Sequence, residues 1–275
     1  KNIVNYFNIY SNSFKSVNII ANRYNTPSSY LDINNNLIIP SGIDSFIREV
    51  VSKQFAVSNQ DFNSINYLND RKNRLTSNNL IIGSSFSFSN KSRKNMYDNE
   101  FSEFKLKIEL AGNLTNLTSN LLNVSKDEFG KNKVLGLTYS QFIKTETGYI
   151  KHWPIGLNSI IAFRSFFGIA IPFGNSNNIP FSKSFFAGGS NDNRAWEVYR
   201  LGPGSSEALS EFNEANMKIA MNIEYRFKIL GKLDGALFTD IGNIWNVFDD
   251  TKDSKRTFSS LRDLDEIAIG SGIGL

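Results

Sequence analysis

Cysteine is missing from all 275 residues. No disulfide can staple the chain and no thiolate can act as nucleophile or metal ligand, so burial and backbone pairing must hold it together. Histidine occurs once, at His152, which excludes a histidine-based metal cluster within this sequence. Neither charge dominates: 30 basic against 26 acidic residues leave a net +4, too balanced for a nucleic-acid-binding protein. The N-terminus carries no basic-then-apolar signal peptide. No apolar run approaches the ~18 residues of a membrane-spanning helix; the nearest, residues 160–173, is interrupted by Arg164. A mean hydropathy of -0.28 argues against a helical membrane protein. It does not argue against a membrane barrel, in which every second residue is polar.

Proline is scarce, at 6, whereas Phe and Tyr number 23 and 10 and Asn and Ser are abundant. Such a composition favours strands and turns over helices. Residues 3–10 and 14–24 read as weak, Asn-rich strands. Residues 35–43 are more apolar, and 46–57 read equally as strand or short helix. Residues 58–78 read as a solvated loop with a charge cluster at Asp70, Arg71, Lys72 and Arg74. No amphipathic helix of useful length is visible.

Alternation then sharpens. Along 80–88, Leu80, Ile82, Phe86 and Phe88 share one face. In 104–110, Phe104, Leu106, Ile108 and Leu110 alternate with Lys105, Lys107 and Glu109. Residues 135–153 are less regular, with a bulge or turn expected near Gly148. In 159–173, Ile161, Phe163, Phe167, Ile169 and Ile171 oppose Arg164, Gly168 and Ala170. Residues 217–227 set Met217, Ile219, Met221, Ile223, Tyr225 and Phe227 against Lys218, Ala220, Asn222, Glu224 and Arg226. A tight turn near Gly231 leads to 233–245, and 267–275 alternates isoleucine with glycine. A period of two over such lengths means strands with one apolar and one polar face.

The connections alternate in length: long at 113–133, 174–212 and 247–265, short near 153–158 and 229–232. Up-and-down membrane barrels have this pattern. A soluble sandwich would need a second layer over its greasy faces, and lipid is the more economical partner. The last segment ends without a turn, and an open sheet edge is not tolerated in lipid. The expectation is therefore an all-β, antiparallel, up-and-down transmembrane β-barrel domain over 1–275, a fragment with strands missing at both ends.

Glu224 and Asp240 fall on the polar faces of adjacent strands, near cross-strand neighbours about a midpoint at residue 232. Two carboxylates so close repel unless a cation intervenes. Arg194 can supply it if the 174–212 loop folds inward. The plainer alternative leaves both acids facing luminal water and Arg194 on an exposed loop. A catalytic carboxylate pair is disfavoured because Lys105, Lys218 and Arg226 make the wall ordinary rather than site-like. No nucleophile, metal cluster or phosphate loop suggests an enzyme, and no cofactor is called for. His152, beside Trp153 and Pro154, reads as interfacial.

Phe185-Phe186-Ala187-Gly188-Gly189 followed by Asn193-Arg194-Ala195-Trp196 resembles the signature loop of the BamA/TamA family of outer-membrane assembly factors, most of all its Bacteroidetes branch. Residues 222–227 and 235–245 are similar to the family's next two strands, in order and spacing. The resemblance covers 159–275 well and extends to Leu80. It implies a sixteen-stranded barrel of the bacterial outer membrane whose sixth external loop, here 174–212, tucks into the lumen. It implies that Arg194 contacts Glu224 and Asp240, with Phe186, Gly188, Gly189 and Trp196 shaping the loop. It implies client β-barrel proteins, with periplasmic and lipoprotein accessory subunits, as partners. One departure is Ala195, where the usual pattern has glycine. The alternative within the same superfamily is a translocation pore of the two-partner-secretion type.

Overall fold

The computed structural model describes residues 15–76, 79–95, 98–121, 125–127, 130–206, 213–231, 233–251 and 253–275. The expected strand at 3–10 lies outside them. The chain forms two compact units, Lys1–Ser77 and Asn78–Leu275, where the sequence reads as one barrel domain.

The described part of the first unit is helical, which corrects the strand expected at 14–24 and the loop expected at 58–78. Residues 15–21 form α1, Ser41–Val51 form α2 and Asn59–Thr76 form α3. In α2, Ile43, Phe46, Ile47 and Val50 recur at helical spacing and are all buried. They pack with Val17, Ile20 and Ala21 of α1 and Ile65 and Leu68 of α3. Ser58 starts α3: its Oγ accepts the Asp61 N–H at 3.1 Å and donates to Asp61 Oδ2 at 3.0 Å. Amphipathic helices are thus present where none was expected.

The second unit is built on strands. After β1 (Asn79–Leu80) come β2 (Gly83–Lys91), β3 (Phe101–Ala111), helix α4 (Asn113–Leu121), β4 (Lys133–Val134), β5 (Leu137–Tyr139), β6 (Phe142–Pro154), β7 (Ser159–Pro172), β8 (Met217–Leu230), β9 (Leu233–Trp245) and β10 (Ala268–Gly274). A seven-stranded sheet runs β2-β3-β6-β7-β8-β9-β10, every pair antiparallel. A small sheet of order β1-β5-β4 forms where the sequence reads as the starts of longer strands, for β1 and β5, and as the end of a long connection, for β4. No bulge occurs at Gly148, which pairs in register with Phe166 and Lys105.

Connections at one end of the large sheet are short, at 92–100, 155–158 and 231–232. Those at the other end are long, at 112–141, 173–216 and 246–267. Strand order follows chain order, as in an up-and-down meander.

Register gives the sheet two unlike faces. One carries Phe86, Phe88, Phe104, Tyr149, Trp153, Phe167, Met221, Ile223, Tyr225, Leu237, Ile269 and Ile273, all exposed. The other carries Lys105, Lys107, Glu109, Lys144, Glu146, Arg164, Lys218, Glu224, Arg226 and Asp240. Among the described residues Lys151 is the charged exception on the apolar face, near the short-turn end, 5.9 Å from the Trp153 ring. This unit has a core cluster on each face: Met217 and Trp245 are buried on the apolar face at the long-loop end, with Val247, Phe258 and Ile267 of the β9–β10 loop, and a larger cluster lies on the charged face. Ala111, Phe142, Ala170 and Ile244 of the sheet pack there against Ile179, Phe185, Ala187, Leu201 and Ala215 of the β7–β8 loop.

No helix among the described residues is long and apolar enough to cross a membrane, which says nothing about crossing by strands.

Candidate functional site

The β7–β8 loop is turned back on itself at Gly188 and Gly189, whose φ angles of 100° and 101° lie in the left-handed region. Glycine adopts that region without steric cost. Gly189 N–H donates to the Trp196 carbonyl at 2.8 Å, and Trp196 N–H to the Asn193 carbonyl at 3.1 Å. Asp192 Oδ2 accepts the Gly188 N–H at 2.8 Å. This turn lays residues 185–196 along the charged face and points Arg194 at β8 and β9.

Arg194 meets both predicted acids. Nε donates to Asp240 Oδ2 and Nη2 to Asp240 Oδ1, each at 2.8 Å, a bidentate fork. Nη1 donates to Glu224 Oε2 at 2.7 Å, and the Arg194 main-chain N–H adds a bond to Asp240 Oδ2 at 2.9 Å. The Asp240 side chain is 0% exposed, Glu224 17% and Arg194 24%. The hydrogen bonds to Asp240 hold the Arg194 guanidinium above its usual pKa, against the opposing effect of burial.

The two acids are offset by two pairs on the ladder, one step along the same face. Glu224 pairs with Phe238 and Asp240 with Asn222, so the carboxylates are diagonal neighbours rather than opposite ones. The intervening positions complete the site. The Phe238 ring lies 3.5 Å from the Arg194 guanidinium carbon, a cation–π contact. Asn222 Nδ2 donates to Asp240 Oδ1 at 2.9 Å and to the Asp192 carbonyl at 2.8 Å. Arg226 Nε takes the other oxygen of Glu224 at 2.6 Å. Arg194, Glu224, Arg226 and Phe238 line a cavity of about 540 Å³ together with Gly156, Leu157 and Asn158 of the β6–β7 turn.

Trp196 lies over β10. A Cβ on Gly270 would come within 2.5 Å of Ala195 Cβ and 3.1 Å of the Trp196 ring, and one on Gly272 within 2.5 Å of the Phe238 ring. The glycines of β10 are therefore the floor on which loop and ring rest. Ala195 is not among the residues with a left-handed backbone. Phe186 is half-exposed, with its ring 4.4 Å from that of Tyr199. Its neighbour Phe185 is buried over Gly168 and Phe166. His152 stands on the charged face, its ring 4.3 Å from that of Phe101.

Further polar contacts tie the loop to the sheet. Lys183 pairs with Glu109 of β3, and its carbonyl accepts Lys144 Nζ of β6 at 2.9 Å. Arg164 of β7 donates to the Asn191 carbonyl. Lys218 of β8 reaches Asp192 Oδ1 at 2.8 Å. Sequence reasoning missed Asn222 and Phe238, Lys218 and Asp192, and Gly270 and Gly272. Phe238 had a visible signal: a large aromatic between Ala236 and Asp240 on the face of β9 that carries the acid.

The sequence profile of the Omp85 superfamily domain matches residues 45–275. The chain belongs to the Omp85 superfamily. Omp85 proteins are outer-membrane proteins, and the superfamily covers assembly factors for other outer-membrane proteins and secretion transporters, which act without enzymatic chemistry. They work with client proteins and accessory subunits. The seven-stranded antiparallel sheet is consistent with part of an Omp85 barrel. No curated protein matches the chain.

Proposed function

We propose that this Omp85 chain is an assembly factor of the BamA/TamA type, of the Bacteroidetes branch, which inserts β-barrel clients into the bacterial outer membrane. In this reading the apolar face of the large sheet meets lipid and the charged face lines the lumen of a sixteen-stranded barrel. The 174–212 loop is then an external loop folded inward. Arg194 fastens it to Glu224 and Asp240. No chemistry is required: an openable seam offers unpaired backbone groups to a client strand, and the client is taken up by β-augmentation. Periplasmic and lipoprotein subunits are the expected accessories.

The observation that carries the reading is the Arg194 fork between two carboxylates of neighbouring strands, in a loop spelled like the family's signature. A solvated loop arginine would have no reason to place three nitrogens and its own main chain on two buried or half-buried acids. The test is Arg194→Ala in the full-length protein, scored for client assembly in vivo and in vesicles. Loss of assembly supports the reading. Parental assembly by the variant sinks it, and a steady ion conductance through the native protein would point instead to a translocation pore.

A further inference from the structure

We propose that Lys218 is a positioning residue for the loop: its ion pair with Asp192 fixes where along β8 the loop turn rests, and so delivers Arg194 to Glu224 and Asp240. The inference deepens the reading above and rests on it for its bearing on assembly.

Lys218 Nζ lies 2.8 Å from Asp192 Oδ1 and donates to the Phe186 carbonyl at 2.7 Å. The side chains of Lys218 and Asp192 are 12% and 11% exposed. The Phe166 and Phe186 rings each stand 5.7 Å from the ammonium. Directly across on β7 is Gly168, whose missing side chain leaves the space that Phe185 fills. Lys218 is thus enclosed by loop and sheet groups together, and it makes these contacts only with the loop in place.

Asp192 is the residue that converts this contact into a position. One carboxylate oxygen faces Lys218 while the other accepts the Gly188 N–H, so the same side chain shapes the glycine turn and ties it to the sheet. The Asp192 carbonyl accepts Asn222 Nδ2, which also donates to Asp240. From Lys218 to Glu224 on the same face of β8 is roughly 20 Å at the ordinary strand rise. The loop bridges these two strand positions: Lys218 reaches up to Asp192 and the Phe186 carbonyl, and Arg194, two residues after Asp192, reaches down to Glu224 and Asp240. A single contact leaves a tethered loop free to swing about it, whereas two contacts anchored at separate positions of β8 set both place and direction. Removing one member of a shielded pair also leaves the other charge uncompensated, which drives the loop off the sheet.

Asn193 lies between the two contacts, 0% exposed, and its side-chain polar atoms make no hydrogen bond. Asn193→Cys therefore removes no bond and, in a sequence without cysteine, is a single-thiol reporter of loop lifting. The experiment follows maleimide labelling of that thiol in the full-length protein reconstituted in lipid vesicles. Heat-modifiable gel migration checks that each variant is folded. Lys218→Met and Asp192→Asn are each expected to speed labelling at least tenfold. The swap Lys218→Asp with Asp192→Lys is expected to return it toward the slow parental rate. Should Lys218→Met fail to fold, Asp192→Asn, which keeps the residue's shape, carries the same test. Parental labelling rates in folded Lys218→Met and Asp192→Asn overturn the proposal, and so does fast labelling that the swap does not reverse. Variants that label fast yet assemble clients at the parental rate overturn the functional reading and leave the positioning role intact.

Discussion

A guanidinium offers five N–H donors in a rigid plane, and Arg194 sets that plane between Glu224, Asp240 and the face of Phe238. Arg194→Ala strands two carboxylates in a shielded site and is expected to destabilise the protein by about 3–5 kcal/mol, read as a fall in the urea midpoint of vesicle-bound protein. Arg194→Lys restores one charge but not the fork, so its midpoint should fall between those of the parent and Arg194→Ala. Phe238→Leu keeps every hydrogen bond and loses the ring face; a cost of about 1 kcal/mol by the same assay is expected. The charged residues here were legible because they combine strand alternation with a loop motif. That Asn222 and Phe238 stand beside the acids was not legible, since pairing depends on the register that the β8–β9 turn sets. Moving the ladder by two residues changes which side chain stands between the acids without changing the face on which they stand.

At the scale of elements, strands were legible and short helices were not. The strand β8 announces itself by a period of two that nothing interrupts, and β7 and β9 keep that period with a few exceptions. In α2 the spacing of Ile43, Phe46, Ile47 and Val50 was present but competes with an apolar, β-branched composition that also suits a strand. In α3 the apolar positions are few, so a polar, Asn-rich run reads as loop, and only the Ser58–Asp61 pair marks a helix start. The glycines of β10 carry a testable consequence: Gly270→Val should displace Ala195 and Trp196 while the strand itself still pairs. The expected result is faster protease cleavage in the β7–β8 loop with far-UV circular dichroism unchanged. The β9–β10 loop offers a pH test. Asp263 Oδ2 accepts the Ser259 and Ser260 N–H groups at 2.6 and 2.9 Å, and these bonds hold its carboxyl below the usual aspartate pKa. A depressed folded pKa means the contribution is complete above the unfolded value and is lost as pH falls through the folded one. The protection factors of the Ser259 and Ser260 amides should therefore hold down to roughly pH 4 and fall only below it.

For the whole molecule, the two faces of the large sheet predict opposite tolerances. Ile223 lies on the apolar face near the middle of β8, and Arg226 on the charged one. Ile223→Arg is expected to cost about 2–4 kcal/mol, the depth-dependent penalty of a cation at the lipid face, whereas Arg226→Gln should alter stability far less. Equilibrium unfolding in vesicles measures both, and equal tolerance at the two sites would count against a lipid-clad wall. The loop's contacts also step across the sheet in order: Glu109 on β3, Lys144 on β6, Arg164 on β7, Lys218 and Glu224 on β8, Asp240 on β9, Gly270 on β10. That arrangement is a diagonal strut across six strands. Sliding one strand past the next changes the length of the diagonal and must break its contacts, so the register of this sheet and the seating of one loop are a single mechanical variable.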